Sequence, residues 1–96
     1  MNFGEKIKEL REDQGLLQRQ LAASLEIDTP MFSKIERGER KAKREQVEQL
    51  ANLLHADKPM LFSIWLADQI LDLIENEPQA IEAIEIVKKE LKKHEH

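Results

Sequence analysis

Six basic side chains are crowded between Lys34 and Arg44, in a chain whose formal net charge is -4. Only two acidic residues, Glu36 and Glu39, fall in the same interval. Lysine and arginine neutralise phosphate groups, and arginine can bind a phosphate through two parallel hydrogen bonds. A basic cluster of this kind is either an ordinary solvated loop or a contact surface for a polyanion.

Charge is divided unevenly along the whole chain. Residues 1–44 carry 10 lysines and arginines against 8 acidic residues, whereas residues 45–96 carry 5 against 11. Because binding responds to the local patch and not to the overall charge, the acidic isoelectric point does not exclude a nucleic-acid partner. The chain has no cysteine, which excludes disulfides and cysteine-based zinc sites.

The periodicity of apolar residues predicts an all-α protein. Glycine and proline are rare and occur singly, and no segment alternates with period two for long enough to form a strand. The predicted helices are one capped by Asn2 and ended by Gly15, a second from about Gln18, a third ended by Gly38, a fourth from about Arg44 to Leu54, an apolar helix across Met60–Ile74, and a last helix opened by Pro78.

The third helix is predicted to have two different faces. At about 100° per residue, Phe32 and Ile35 fall on one side, and the opposite side holds short polar groups and cations, namely Thr29, Pro30, Ser33, Lys34 and Arg37. Such a helix can lie on a core and enter a groove of DNA, with cations near phosphates and short polar groups near base edges. Thr29 is the expected N-cap, with Pro30 at the first helical position, where its missing N–H costs nothing.

Several motifs in this region resemble a known family. Gln18-Arg19-Gln20-Leu21-Ala22, then Ile27, then Phe32-Ser33-Lys34-Ile35-Glu36-Arg37-Gly38, is similar to the helix-turn-helix of phage-repressor-like (Cro/cI, Xre-type) proteins. The resemblance covers roughly residues 3–57. It implies a compact bundle of about five helices in which the third is the recognition helix, with an additional C-terminal helix in this chain.

The resemblance also implies roles for individual residues. Arg11 and Glu36 match a structural arginine–carboxylate pair that joins the first helix to the end of the third. The positions that would face base edges are Thr29, Pro30, Ser33 and Lys34. Those that would contact phosphate are Gln18, Arg19, Arg37, Arg40, Lys41, Lys43 and Arg44.

Two positions depart from the pattern of the family. Pro30 stands where the family often has a polar side chain that reaches bases, so the resemblance does not predict which base this position contacts. A proline ring can instead pack on a thymine methyl group. Ala42 stands near a point where the family often has proline, and this departure concerns only a loop.

Residues 58–96 are predicted to form C-terminal helices separate from the DNA-binding domain at residues 1–57. The segment Met60–Ile74 is too apolar to have one face in water. It therefore either lies centrally in its own domain or meets a second subunit. We expect the C-terminal helices to join two copies of the chain as a homodimer, which suits a palindromic operator. The predicted interface residues are Leu61, Trp65, Ile70, Ile74, Ile84 and Leu91.

Other classes of protein find less support in the sequence. No nucleophile occurs with its base, and no phosphate-binding loop is present, so we expect neither an enzyme nor a cofactor. His94 and His96 could bind a metal weakly, but nothing else favours a metal site. Without a signal peptide or a long apolar segment, a cytoplasmic protein is expected. An alternative is an antitoxin-type module whose C-terminal helices bind a partner protein.

Overall fold

The computed structural model describes residues 2–95, and in this range it contains six α-helices and no strand. Met1 and His96 lie outside the described residues. The predicted all-α fold is confirmed. The helices are α1 (Phe3–Asp13), α2 (Gln18–Ser24), α3 (Thr29–Glu36), α4 (Arg44–Leu53), α5 (Lys58–Ile74) and α6 (Ala80–Lys93).

The core lies between the first four helices and the beginning of α5. The helix pairs in most extensive contact are α2 with α3, α4 with α5, and α1 with both α3 and α5. Leu61, in the first turn of α5, is completely buried, so the core extends beyond residue 57. The largest fully buried side chains are Phe32, Ile7, Ile35, Leu50, Leu54, Leu61 and Val47.

The first four helices end with the same backbone geometry. The residue after each C-cap has a positive φ, which is 68° at Gly15, 59° at Glu26, 77° at Gly38 and 53° at His55. In each turn the next backbone N–H donates to a carbonyl oxygen in the last helical turn, at 2.9–3.0 Å. This hydrogen bond satisfies a carbonyl that the helix itself leaves unpaired. The two glycine ends were predicted, whereas Glu26 and His55 adopt the left-handed conformation without being glycine.

The start of α3 differs from the prediction by one residue. Asp28, and not Thr29, is the N-cap, and its carboxylate accepts a hydrogen bond of 2.7 Å from the backbone N–H of Met31. An aspartate caps at least as well as a threonine and also places a negative charge at the positive end of the helix. Pro30 consequently occupies the second helical position, still within the first turn, where its missing N–H has no intrahelical partner.

The two C-terminal helices extend away from this core. In α5 only Leu61 is fully buried, and α6 has no buried residue. The radius of gyration is 15.3 Å, against about 12 Å expected for a compact chain of this length. The predicted last helix begins at Ala80 and not at Pro78, which lies in the preceding turn. No helix of the described residues is long and apolar enough to cross a membrane.

Candidate nucleic-acid interface

The two faces of α3 are arranged as the helical wheel predicts. Phe32 is 0% and Ile35 is 2% exposed, so one side of the helix is part of the core. On the other side Pro30 and Lys34 are exposed, and Ser33 is half-buried. Thr29, the first residue of the helix, is also half-buried. A helix anchored on one side therefore presents short polar groups, a proline ring and a cation to solvent.

A buried hydrogen-bond network fixes α3 relative to α1 and α2. The Arg11 guanidinium donates to both carboxylate oxygens of Glu36, with Nε–Oε2 at 2.7 Å and Nη2–Oε1 at 3.1 Å. The Glu36 side chain is 2% exposed. Hydrogen bonding to Glu36 raises the pKa of Arg11 above its ordinary value, so the guanidinium keeps its positive charge. The predicted structural pair is thus formed between the first helix and the end of the third.

Gln18 belongs to the same network. Its side-chain Nε2 donates to Glu36 Oε1 at 2.8 Å, which joins the first residue of α2 to the end of α3. Arg11 Nη1 donates to the carbonyl oxygen of Leu16 at 2.9 Å and so contacts the loop before α2. The resemblance implies that Gln18 contacts phosphate, but its amide nitrogen already has a partner within the protein. Its position therefore supports a role in bracing the end of α3 against α2.

Gly4 permits the close contact between α1 and the end of α3. It is buried, and a Cβ atom at this position would clash with the backbone carbonyl oxygens of Ile35 and Glu36. These are backbone atoms, which cannot move aside as a flexible side chain can. This role of Gly4 was not predicted, because a glycine in a helical sequence does not reveal which backbone approaches it.

Two of the predicted DNA-contacting residues are joined in an exposed network at the end of α3. Arg37 donates through Nη1 to the Ser33 hydroxyl at 2.5 Å and through Nε to Glu39 Oε2 at 2.5 Å. The Arg37 guanidinium holds the pKa of the Glu39 carboxyl below its usual value, so Glu39 is negatively charged at neutral pH. A DNA phosphate that approaches Arg37 would therefore meet a carboxylate already bound there.

The basic loop before α4 is in contact with α5. The indole Nε1 of Trp65 donates to the carbonyl oxygen of Ala42 at 2.8 Å. The guanidinium of Arg44 lies 5.4 Å from the ring centroid of Phe62 and 5.2 Å from that of Trp65, within the range of a cation–π contact. Lys41 lies 3.4 Å from the Asp72 carboxylate in an exposed ion pair. The conformation of the loop thus depends on α5.

The other predicted cations are free to meet a ligand. All are exposed, and within residues 2–95 they form no ion pair. They are Arg19 at the start of α2, Lys34 on α3, and Arg40 and Lys43 in the loop.

The predicted interface residues in the C-terminal helices do not all lie on a free surface. Leu61 is 0% exposed, so its assignment to a dimer interface is wrong, because its side chain belongs to the core of its own chain. Trp65 is half-buried and has its indole N–H bonded to Ala42. Of the others, Ile70 is 46% and Leu91 is 63% exposed, and Ile74 and Ile84 are half-buried.

Comparison with known protein families agrees with this geometry. A family model described as "Helix-turn-helix domain" matches residues 2–61, which include α1 to α4 and the first turn of α5. The chain belongs to this family, of the kind found in Xre/Cro-like regulators. No curated protein and no solved structure matches the chain. A helix-turn-helix domain indicates a DNA-binding regulator.

Proposed function

We propose that the protein is a sequence-specific transcriptional regulator that places α3 in the major groove of operator DNA. The observation that carries this proposal is the exposed face of α3, with Pro30 and Lys34 directed to solvent while Phe32 and Ile35 lie in the core. A helix held in this way keeps its position relative to the rest of the domain when it contacts base edges.

The contacts divide into two kinds. Thr29, Ser33 and Lys34 supply hydrogen-bonding groups at base edges, and the Pro30 ring contacts a thymine methyl group. Arg19 and the cations at positions 40–44 contact phosphates, which supplies most of the affinity and its dependence on salt, while Arg37 remains bonded to Glu39. The proposal describes a binding protein and not an enzyme.

A homodimer is part of this proposal. One helix in one groove contacts few bases, whereas two copies related by a dyad recognise a palindrome with half-sites about 34 Å apart. The exposed apolar side chains of α5 and α6, including Ile70 and Leu91, support a second copy as the partner.

Replacement of Lys34 tests the base-contacting role. Against an operator selected from random DNA, Lys34→Ala should lose about 1–3 kcal/mol and relax the preference at one base pair. A suitable control is Lys93→Ala, which removes an exposed lysine from α6. Equal loss of affinity for every sequence would instead make Lys34 a phosphate contact. No loss at all would contradict the placement of α3 in the groove.

The lack of any buried residue in α6 also supports a second candidate function. In an antitoxin-type or other interaction module, these C-terminal helices would bind a different protein. Sedimentation of the pure protein distinguishes the two, since a stable monomer with an exposed apolar surface favours a heterologous partner.

A further inference from the structure

Four apolar residues of α6, three of them exposed and one half-buried, form a stripe along one side of the helix. At about 100° per residue, Ile81, Ile84, Val87 and Leu91 fall within about 120° of one another. Ile81 is 74%, Val87 is 50% and Leu91 is 63% exposed. Ile86, which is 63% exposed, falls on the opposite side and is not part of the stripe. An isolated apolar stripe of this length is typical of a helix that pairs with another helix.

The beginning of the stripe lies beside an open apolar groove between α5 and α6. The groove has a volume of about 590 Å³, and its lining includes Ile70, Ile74, Ile81 and Ile84. Val87 and Leu91 do not line this groove, and the contacts between α6 and the other helices are few. Within residues 2–95, no other element therefore covers Val87 and Leu91, which form the second half of the stripe.

Charge changes sign along this part of the chain. Residues 77–85 carry three glutamates and no basic residue, whereas residues 86–95 carry four lysines against two glutamates. Glu85 and Lys92 lie on one flank of the stripe, and Lys88 falls at the edge of the stripe, beside Ile81. A parallel pair of such helices would place like charges together, and an antiparallel pair places the acidic half of one against the basic half of the other.

We propose that α6 pairs in antiparallel orientation with α6 of a second copy of this chain. This inference rests on the homodimer of the proposed function and specifies how the dimer forms. With the stripes centred on each other, Ile81 of one copy lies opposite Leu91 of the other. Leu91 of the second copy then approaches the groove lined by Ile70 and Ile74. A dyad perpendicular to the helices relates the two copies, so each contact occurs twice.

The two kinds of residue contribute differently to this pairing. Burial of the stripe and of the groove supplies the affinity, because apolar area removed from water is the main favourable contribution to association. Exposed charge pairs contribute little affinity, but they select the orientation, since like charges would meet in the alternative arrangement.

Disulfide cross-linking tests the orientation, because the natural chain has no cysteine. In an Ile81→Cys/Leu91→Cys double variant, the two cysteines of one chain lie ten residues apart, about 15 Å along the helix, and cannot bond to each other. Oxidation followed by tryptic cleavage at Lys88 and Lys89 separates the two positions. We expect the main cross-linked product to join position 81 of one chain to position 91 of the other.

The other possible outcomes contradict the antiparallel orientation, the role of α6 in the dimer, or the homodimer itself. Links of 81 to 81 and 91 to 91, in a protein that sediments as a dimer, would show a parallel pair and overturn the inference while the homodimer remains. A dimer without cross-links would show that α6 does not mediate it. A protein that sediments as a monomer would overturn the homodimer as well. An Ile86→Cys variant is the control for random collision and should remain uncross-linked.

Discussion

The helix-turn-helix region and the C-terminal helices use their apolar residues in opposite ways. From Phe3 to Leu61 the buried apolar side chains form one core, with Phe32, Ile7 and Leu61 all at 0% exposure. In α6 the apolar stripe is exposed, and the helix buries no residue. The first region thus buries its apolar side chains within one chain, whereas the second leaves an apolar stripe open to solvent.

The polar groups of the two regions differ in the same way. Arg11, Glu36 and Gln18 form a network that is largely buried and joins three helices. No buried side-chain nitrogen or oxygen in residues 2–95 is without a hydrogen-bond partner. The ion pair of α6, Lys93 with Glu90, is exposed and local. Buried networks fix the relative positions of elements, whereas exposed pairs contribute little to stability.

The largest effect is expected where the buried network is broken. Glu36→Ala leaves the Arg11 guanidinium buried without its carboxylate, which should lower the free energy of unfolding by about 3–5 kcal/mol. Urea unfolding measures this loss. The control is Glu48→Ala, which removes an exposed partner of Lys58 and should cost less than about 1 kcal/mol. Equal losses in the two variants would show that the buried pair does not hold the three helices together.

A charge placed in the apolar stripe of α6 should weaken self-association, which is the role proposed for the C-terminal helices. Val87→Asp should weaken self-association at least tenfold, because a carboxylate would be buried between the helices, and tenfold corresponds to about 1.4 kcal/mol. Sedimentation equilibrium measures the dissociation constant. The matched control is Ile86→Asp on the opposite side of α6, where both residues are exposed in the single chain. Similar weakening in both variants would argue against pairing through the stripe.

Trp65 lies where α5 contacts the helix-turn-helix region. Its replacement distinguishes a contribution to the stability of the single chain from a contribution to dimerisation. Trp65→Phe removes the hydrogen bond from the indole N–H to Ala42 while it retains an aromatic ring. We expect a loss of about 1 kcal/mol in unfolding free energy, measured at concentrations where the protein is monomeric. The dissociation constant of the dimer should not change. A change in dimerisation without a change in monomer stability would assign Trp65 to the interface instead.

The sequence was sufficient to predict most of the helix-turn-helix region. Apolar spacing predicted that Phe32 and Ile35 face the core, and Gly15 and Gly38 predicted two helix ends, because only glycine adopts a positive φ at no cost. The ends at Glu26 and His55 carry no such signal, since they depend on backbone hydrogen bonds that outweigh the strain. Asp28 was not predicted as the N-cap, because placing Pro30 at the first helical position favoured Thr29.

Contacts between distant residues were harder to predict. Trp65 on α5 donates a hydrogen bond to Ala42, and the Arg44 guanidinium lies over its ring. Neither Ala42 nor Arg44 belongs to α5. The apolar run of α5 predicted burial but not which residues face the chain's own core, so Leu61 was assigned to the dimer. The Arg11–Glu36 pair was available only through family resemblance, because spacing along the sequence does not show that two distant charges meet.

The smallest effect is expected at an exposed contact within the helix-turn-helix region, since not every polar contact of this region is buried. Glu39 and Arg37 are bonded at the surface, so Glu39→Gln should leave the unfolding free energy nearly unchanged. It should strengthen binding to DNA of any sequence, because Arg37 becomes free to meet a phosphate. A plot of log K against log salt concentration should then become steeper by about 0.9, the value for one additional phosphate contact.

The control for this prediction is the removal of one negative charge from α6. Glu90→Gln removes the same charge from an exposed ion pair on α6, distant in sequence from the DNA-contacting residues. If Glu39 competes with phosphate for Arg37, only Glu39→Gln steepens the salt dependence, and a second change, Arg37→Ala, removes the gain. If Glu90→Gln has the same effect, the overall charge of the protein and not the Arg37–Glu39 contact controls its affinity for DNA.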